Sequence, residues 1–180
     1  MIIIIEGLDR CGKSTLVEHL RKQYFTSPNI LVHHSSSPPK VDNPNLWELK
    51  HYSSLIQTGQ FLVDKYAYTI IFDRFHLGAA VYGERYRGAD PSDVYDLDKL
   101  YLSNYDKAVL ILLTGDPKEI AARDDGDSLE KSVEEYSHTA DAFLKAYEAS
   151  SCMHKLHINI TENGGFQNTI PTVINFLKGV

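Results

Sequence analysis

Five short apolar runs divide the chain, and each contains four to seven residues rich in strand-forming side chains. They lack the polar alternation of a strand that has one face in water, so they indicate strands buried within a sheet. The runs predict β-strands at Ile2–Ile5, Ile30–His33, Thr69–Asp73, Ala108–Thr114 and Leu156–Ile160.

Longer stretches between these runs carry apolar residues at helical spacing. This alternation predicts an α/β fold, in which a parallel five-stranded sheet has helices on both faces. Ligands of such sheets bind at the carboxyl ends of the strands, where Gly7, Ser35, Asp73 and Gly115 lie. The predicted helices are Ser14–Phe25, Leu46–Lys65, Leu77–Tyr86, Val94–Ser103, Pro117–Arg123, Ser128–Ser150 and Ile170–Leu177.

A phosphate-binding pattern, G-x-x-x-x-G-K-[ST], joins the first predicted strand to the first helix. Strand, glycine loop and helix follow in the order that the mechanism requires, which separates a true phosphate loop from a glycine turn with a capping serine. All nine residues of the segment are therefore expected to contact ATP: Gly7, Leu8, Asp9, Arg10, Cys11, Gly12, Lys13, Ser14 and Thr15.

The residue types in this loop suit a triphosphate. Gly7 and Gly12 let the backbone curl so that successive N–H groups converge on phosphate oxygens. The start of the following helix adds the positive end of its dipole. Lys13 supplies a positive charge to the β- and γ-phosphates, and Ser14 supplies a hydroxyl to Mg²⁺.

Asp73 and Arg74 follow the third predicted strand. In a phosphate-loop protein, an aspartate at this place holds or orients Mg²⁺, and the arginine beside it clamps a phosphate with its planar guanidinium. The alternative is an aspartate that caps the next helix, with Arg74 on the surface. The phosphate loop favours the functional interpretation, so both residues are predicted to be catalytic together with Lys13.

Two charged residues lie inside the loop itself, where phosphate binding does not need them. Arg10 is expected to stabilise charge on the transferring phosphoryl group. Asp9 is expected to bind a sugar hydroxyl of the acceptor, to orient Mg²⁺ through water, or to act as a base. A solvated ion pair is the alternative for both.

Further candidates lie downstream. Tyr82 is expected to stack on a nucleobase, and Arg85 and Arg87 to meet an acceptor phosphate, although an exposed amphipathic helix explains them equally well. Arg123 begins a polar segment that reads as a short lid over about 123–129, and it is expected to lie over the adenine or its phosphates.

The bulk properties narrow the class of protein. A chain of 180 residues is expected to form one domain, and its 43% hydrophobic and 23% charged residues are ordinary for a globular protein. The net charge of −6 argues against a protein that grips nucleic acid non-specifically. Cys11 and Cys152 form neither a metal-binding nor a secretory pattern, and no apolar run approaches membrane-spanning length. A cytoplasmic protein is the expectation.

The segment Glu6–Thr15, with Asp73-Arg74-Phe75 and Tyr82, resembles the thymidylate kinase family, which carries E-G-x-D-x-x-G-K-[ST]-T, then D-R-[YF], then a tyrosine. The resemblance covers most of the chain. It implies a P-loop kinase fold and Mg²⁺-assisted phosphoryl transfer from ATP to a (deoxy)nucleoside monophosphate. The position of Arg10 resembles the subclass of the family that has its catalytic arginine in the phosphate loop. The compact form of the chain resembles kinases carried by bacteriophages. Family members often dimerise, so the resemblance also implies a homodimer.

The acceptor half departs from the family pattern. The family's Arg-Glu-Pro motif after the second strand is replaced by the segment from His34 to Pro39, and the glutamine after its tyrosine is replaced by Gly83. The apolar-Ala-Asp-Arg segment is replaced by the segment from His51 to Ser54. Specificity for thymine is therefore not implied.

Three alternatives remain open. A kinase acting on a nucleoside hydroxyl would need a base, and no acid lies near Ser35 in the sequence, so Asp9 or Asp73 would have to serve. A kinase acting on a modified base in phage DNA would need a basic track around Lys40, Arg85 and Arg87. A regulatory switch would show a D-x-x-G element after the metal-binding strand, where this chain has Asp73-Arg74-Phe75-His76, and an N-K-x-D element, which the chain lacks.

Overall fold

The sheet of the protein is five-stranded and entirely parallel, with strand order β2-β3-β1-β4-β5. We describe it from a computed structural model, in which the structure describes residues 1–25, 27–123, 128–162 and 165–180. The α/β architecture predicted from the sequence is confirmed. The strands are β1 at Ile2–Gly7, β2 at Ile30–His34, β3 at Thr69–Asp73, β4 at Ala108–Thr114 and β5 at His154–Asn159.

The centre of the sheet is covered on both faces. Every residue of β1 and of β4 is buried, and because successive side chains point to opposite faces, both faces must be packed. The edge strand β2 is different, since Leu31 and Val32 are exposed. This agrees with its place at the end of the strand order.

Helices connect the strands at nearly all the predicted places. The first five helices begin within two residues of their predicted starts, whereas the sixth begins five residues later and the seventh four residues earlier than predicted. The helices are α1 at Lys13–His19, α2 at Pro44–Tyr66, α3 at His76–Arg87, α4 at Ser92–Leu102, α5 at Pro117–Ala121, α6 at Val133–Ala149 and α7 at Phe166–Lys178.

Two helix boundaries differ from the prediction for a visible reason. The first helix was expected to run to Phe25, but α1 ends at His19 and a π-helical segment, Leu20–Tyr24, follows it. The sixth was expected to begin at Ser128, but α6 begins at Val133 because Ser132 caps it, with its hydroxyl accepting a hydrogen bond from the Glu135 N–H at 3.2 Å.

The fold brings the predicted functional residues to one edge of the sheet. Gly7 ends β1 and Asp73 ends β3, two neighbouring strands, so the phosphate loop and the Asp73-Arg74 pair lie side by side. Of the predicted lid, residues 124–127 lie outside the described part of the chain. No helix among the described residues is both long enough and apolar enough to cross a bilayer.

Candidate active site

The phosphate loop curls as its glycines require. Gly7 has φ +132°, and a Cβ at that position would lie 1.8 Å from the Leu113 carbonyl oxygen, so the loop leaves β1 pressed against β4. Gly12 has φ +79° and provides the cap residue of α1. Both features produce the narrow backbone cradle that the motif predicts.

Lys13 lies against the inner side of this loop. Its Nζ donates hydrogen bonds to the carbonyl oxygens of Gly7 at 2.8 Å and Leu8 at 2.6 Å, and lies 3.6 Å from Asp9 Oδ1. Burial lowers the pKa of the Lys13 ammonium, while the nearby Asp9 carboxylate opposes that shift. The loop carbonyls and Asp9 therefore hold this amine against the inner side of the loop.

The other loop residues divide by exposure. Leu8 and Cys11 are fully buried, so only their backbone can face a ligand. Burial also raises the pKa of the Cys11 thiol to about 12, which makes a thiolate at this position unfavourable. Thr15 is exposed on the first turn of α1.

Asp73 collects two partners on one carboxylate oxygen. Its Oδ2 accepts a hydrogen bond from the Ser14 hydroxyl at 3.0 Å and lies 3.0 Å from His34 Nδ1. Its Oδ1 is buried and makes no hydrogen bond within the described residues. An unpaired buried carboxylate oxygen beside a serine hydroxyl suits a hard cation that takes few protein ligands and several from phosphates and water.

The donor set thus fits Mg²⁺ and not a metal held in an all-protein cage. Among the described residues there is no cluster of three or more histidine, cysteine, aspartate or glutamate side chains that could bind a metal. Mg²⁺ in phosphoryl-transfer sites binds through one or two side chains and the substrate phosphates, which is the arrangement Ser14 and Asp73 offer.

Arg74 turns toward the phosphate loop. Its backbone adopts φ +66°, and its N–H donates to the Ile5 carbonyl at 2.9 Å. Its Nη2 donates to Asp9 Oδ1 at 2.6 Å, and its side chain is partly exposed. A non-glycine residue in the left-handed region is a strained conformation of the kind that occurs at functional sites.

Arg10 shares that conformation, with φ +64°. Its Nη1 donates to the Tyr136 hydroxyl at 2.6 Å, and its guanidinium carbon lies 5.9 Å from the centre of the Tyr136 ring. Arg123 is exposed, and its Nη1 donates to the Arg10 carbonyl at 3.4 Å. The structure therefore brings Arg123 to the phosphate loop, and Tyr136 of α6 orients the Arg10 side chain.

A cavity of about 530 Å³ opens beside the loop. Gly7 and Asp9 of the phosphate loop line it together with Arg74, and Phe75 and Tyr82 supply apolar wall. Tyr82 also packs edge-on against Phe143, with ring centres 5.7 Å apart, and burial raises its pKa. The volume lies within the range of small-molecule sites.

Two buried acids that the sequence did not single out also line this cavity. Glu6 Oε1 accepts hydrogen bonds from the N–H groups of Phe75 at 2.9 Å and Gly78 at 3.1 Å, and burial raises the pKa of its carboxyl. Glu48 of α2 pairs with Arg87. Both acids share the cavity with Ser35, although no acid is near that serine in the sequence.

The two downstream arginines, Arg85 and Arg87, differ in whether they line the cavity. Arg85, a predicted acceptor-binding residue, lies outside the lining of the cavity, because its Nη1 donates to Thr139 Oγ1 at 2.6 Å and to the Glu135 carbonyl at 3.3 Å. Arg87 does line the cavity. Residues two positions apart on a helix point in nearly opposite directions, so only one of the two arginines could face the cavity, and the sequence did not show which one.

Comparison with known proteins identifies the fold. No protein-family model matches the chain, and no curated protein matches it. The YorR protein of Bacillus subtilis, solved in complex with phosphorylated GDP, is similar in structure, with TM-score 0.65 and 18% identity over 100% of this chain and 99% of that one. Thymidylate kinase from Ehrlichia chaffeensis gives TM-score 0.58 and 17% identity over 99% and 97%. The chain therefore has a P-loop kinase fold shared with thymidylate kinase, as its sequence predicts.

Proposed function

We propose that the protein is a nucleotide kinase that transfers the γ-phosphoryl group of ATP to a nucleoside monophosphate. One observation carries the proposal: the phosphate loop and the 530 Å³ cavity share Gly7 and Asp9, so a donor on the loop and an acceptor in the cavity would meet there. The solved structures of similar fold are consistent with it, since one contains phosphorylated GDP and the other is a thymidylate kinase.

On the donor side, the loop backbone and Lys13 hold the phosphates of ATP. Arg123, which contacts the loop at the Arg10 carbonyl, is well placed to cover the nucleotide. Arg10 stabilises charge on the migrating phosphoryl group, and its hydrogen bond to Tyr136 fixes the side chain before the substrate arrives. Prior orientation of this kind is the main way in which proteins catalyse phosphoryl transfer.

Ser14 and Asp73 would hold Mg²⁺, as the free Oδ1 of Asp73 suggests. The ion would neutralise charge on the β- and γ-phosphates. His34 contacts the other oxygen of the same carboxylate and keeps it in a fixed orientation.

On the acceptor side, Arg74 clamps the monophosphate at the loop. An oxygen of that phosphate forms a bond to the γ-phosphorus, the bond to the β–γ bridging oxygen breaks, and ADP leaves. The attacking oxygen is already anionic at neutral pH, so no base has to remove a proton. Asp9 then serves to orient Arg74 and Lys13, which it contacts at 2.6 Å and 3.6 Å.

The contacts of the basic residues give no support for DNA as the acceptor. Arg85 is bonded to Thr139 and Glu135 of α6, and Arg87 is paired with Glu48. Guanidinium groups that are engaged in this way have little capacity to release counterions from a phosphate backbone. The two cavity acids besides Asp9 are also engaged, Glu6 by backbone N–H groups and Glu48 by Arg87, so neither resembles a free base for a hydroxyl acceptor.

The test is a turnover assay with Mg·ATP and a panel of acceptors, in which ADP release is followed. The panel contains nucleosides, ribo- and deoxyribonucleoside monophosphates, and DNA with hydroxymethylated bases. Turnover with a monophosphate supports the proposal. Turnover only with nucleosides or only with DNA would replace it, and bound ATP without turnover on any acceptor would contradict it. Sedimentation of the same sample checks the predicted homodimer.

A further inference from the structure

A pair of opposite charges, a buried carboxylate and a partly exposed guanidinium, forms part of the cavity wall away from the phosphate loop. Glu48 on α2 is only 5% exposed, and its Oε2 accepts a hydrogen bond from Nη2 of Arg87 at the end of α3. Both residues line the cavity that Asp9 and Arg74 also line. Burying a carboxylate and a guanidinium is costly unless their remaining hydrogen-bonding capacity is used.

The pair is held in place by residues around it. Arg87 Nε donates to Asn45 Oδ1 at 2.9 Å. The guanidinium lies over Gly83, where an added Cβ would come within 3.1 Å of Arg87 Nη2 and 3.2 Å of the Ala89 Cβ. A side chain at position 83 would therefore require Arg87 or Ala89 to shift by a few tenths of an ångström.

The cavity thus has two charged features with different chemistry. At the loop, Arg74 supplies positive charge suited to phosphates, whereas the Glu48–Arg87 pair offers hydrogen-bond acceptors next to donors. Tyr52 and Tyr86 line the cavity as well and supply aromatic surface. Aromatic surface suits the face of a flat heterocycle, and the adjacent hydrogen-bond acceptors and donors suit its polar edge.

Among the common nucleobases, guanine matches this arrangement most completely. A carboxylate accepts two parallel N–H bonds most favourably, and guanine offers two adjacent donors, N1–H and the N2 amino group, next to the O6 acceptor. Adenine and cytosine place one amino group beside a ring nitrogen that accepts. Thymine and uracil have one N–H between two carbonyl groups, one of which would face the carboxylate.

Resting on the proposed kinase function, we propose that Glu48 and Arg87 read the base of the acceptor and that this base is guanine. Glu48 accepts from N1–H and N2–H, and Arg87 donates to O6 while it keeps its bond to Glu48. Glu48 and Arg87 are then specificity-determining residues, separate from the residues that handle phosphate.

The first test uses the unaltered protein and compares GMP with IMP, which lacks only the N2 amino group. Losing one charge-assisted hydrogen bond to a buried carboxylate predicts a fall of about 10- to 100-fold in kcat/KM, equivalent to ~1.4–2.8 kcal/mol. AMP, CMP and TMP should fall further. Equal use of GMP and IMP, or a preference for any other base, would overturn the assignment.

The second test changes the acid. In Glu48→Gln, one carboxylate oxygen becomes an amide donor, which opposes the N2 amino group of guanine but suits the C2 carbonyl of xanthine. The ratio of kcat/KM for GMP over XMP should therefore fall by at least about 10-fold, a change of ~1.4 kcal/mol or more. Glu84→Gln, an exposed acid of α3, is the matched control and should leave the ratio unchanged.

A merely structural role for Glu48 would lower turnover on all acceptors together and leave that ratio fixed, which would contradict the assignment. If Glu48→Gln does not fold, the GMP and IMP comparison still decides. If no acceptor is phosphorylated, the proposed kinase function fails. Calorimetric binding of GMP and IMP then tests the base assignment alone, which is upheld by tighter binding of GMP and overturned by equal binding.

Discussion

Arg74 Nη2 lies 2.6 Å from Asp9 Oδ1, which ties the end of β3 to the phosphate loop. Asp9 also lies 3.6 Å from the Lys13 ammonium, so one carboxylate contacts two cations, which in the proposed function serve the donor and the acceptor. The contact explains why charged residues occupy loop positions that phosphate binding alone leaves open. It also separates the roles of the two cations in a way that mutation can measure.

Arg74→Ala should weaken use of the acceptor far more than binding of ATP. The variant loses the guanidinium that binds the acceptor phosphate in the proposed function, while the loop backbone and Lys13 remain. We expect kcat/KM for the monophosphate to fall by roughly 10²- to 10³-fold, as for removal of a charge-stabilising donor. Initial rates at varied acceptor and varied ATP measure the two effects separately.

The control for Arg74→Ala is Arg21→Ala, which removes an exposed arginine whose ion pair among the described residues is with Glu18 at 3.5 Å. It should behave as wild type, because surface ion pairs contribute little. If Arg74→Ala weakened the affinities for ATP and for the acceptor equally, that result would contradict the assignment of Arg74 to the acceptor side.

Asp73→Asn should raise the Mg²⁺ concentration needed for half-maximal rate. Its Oδ1 lacks a hydrogen-bond partner and its Oδ2 contacts Ser14 and His34, so the substitution removes the negative charge with little change in shape. We expect at least a tenfold rise, since the described residues contain no cluster of three or more potential metal ligands that could compensate. Mg²⁺ titrations at saturating ATP provide the measurement.

Ser14→Ala is the companion variant and should shift the Mg²⁺ requirement in the same direction but less. Asp96→Asn changes an aspartate on α4 and is the matched control. An unchanged Mg²⁺ requirement in Asp73→Asn would show that the carboxylate orients its neighbours without holding the ion.

A functional residue could be predicted from the sequence where the pattern that marks it is contiguous in the chain. The phosphate loop is contiguous, so its strand, glycines and helix could be predicted together, and Asp73 could be placed because a strand end is visible in the apolar pattern. Glu48 could not be assigned a role, because it reaches the cavity from α2 and meets Arg87, 39 positions away in the chain. Tyr136 is still farther from its partner Arg10, at 126 positions.

Helix starts show the same limit. Ser128 and Ser132 are both plausible cap residues in the sequence, and only the contact of Ser132 with the Glu135 N–H decides between them. The residues before it are then free to leave the helical path, and Glu130 among them is buried and accepts a hydrogen bond from Thr139 at 2.9 Å. Tertiary contacts of this type have no periodic signature.

Gly7→Ala should destabilise the protein much more than Gly88→Ala, although both glycines have positive φ. A Cβ at Gly7 would lie 1.8 Å from a backbone oxygen of β4 that cannot move away, whereas a Cβ at Gly88 would meet nothing within 4 Å. We expect a loss of about 1 kcal/mol for Gly88→Ala from the left-handed backbone alone, and of more than about 3 kcal/mol for Gly7→Ala.

Urea unfolding of the two variants and of wild type measures these differences. Gly88→Ala isolates the cost of backbone conformation, so the excess in Gly7→Ala reports the clash between β1 and β4. Similar losses in both variants would show that the loop relaxes at Gly7 and that the close approach to Leu113 is not essential.

Glu6→Gln should make the protein less sensitive to alkaline pH. Burial raises the pKa of the Glu6 carboxyl, and hydrogen bonds from Phe75 and Gly78 together with the nearby His76 and Lys13 only partly oppose that shift. Between the ordinary pKa of a glutamate and the raised value, the native state holds a proton that the unfolded chain has released. The stability that this group contributes is therefore complete below the ordinary pKa and declines as pH rises through the raised one.

The glutamine side chain keeps an oxygen that can accept hydrogen bonds from the backbone N–H groups of Phe75 and Gly78, yet it cannot ionise. Relative to wild type, the free energy of unfolding of Glu6→Gln should therefore increase with pH. The increase should be up to ~1.4 kcal/mol per pH unit between the ordinary and the raised pKa of Glu6. Urea midpoints at a series of pH values between 5 and 8 supply the comparison, with Glu84→Gln as a control for an exposed acid. A constant difference between Glu6→Gln and wild type across that series would mean that Glu6 is ionised in the native state at every pH tested, held so by its backbone donors and by Lys13.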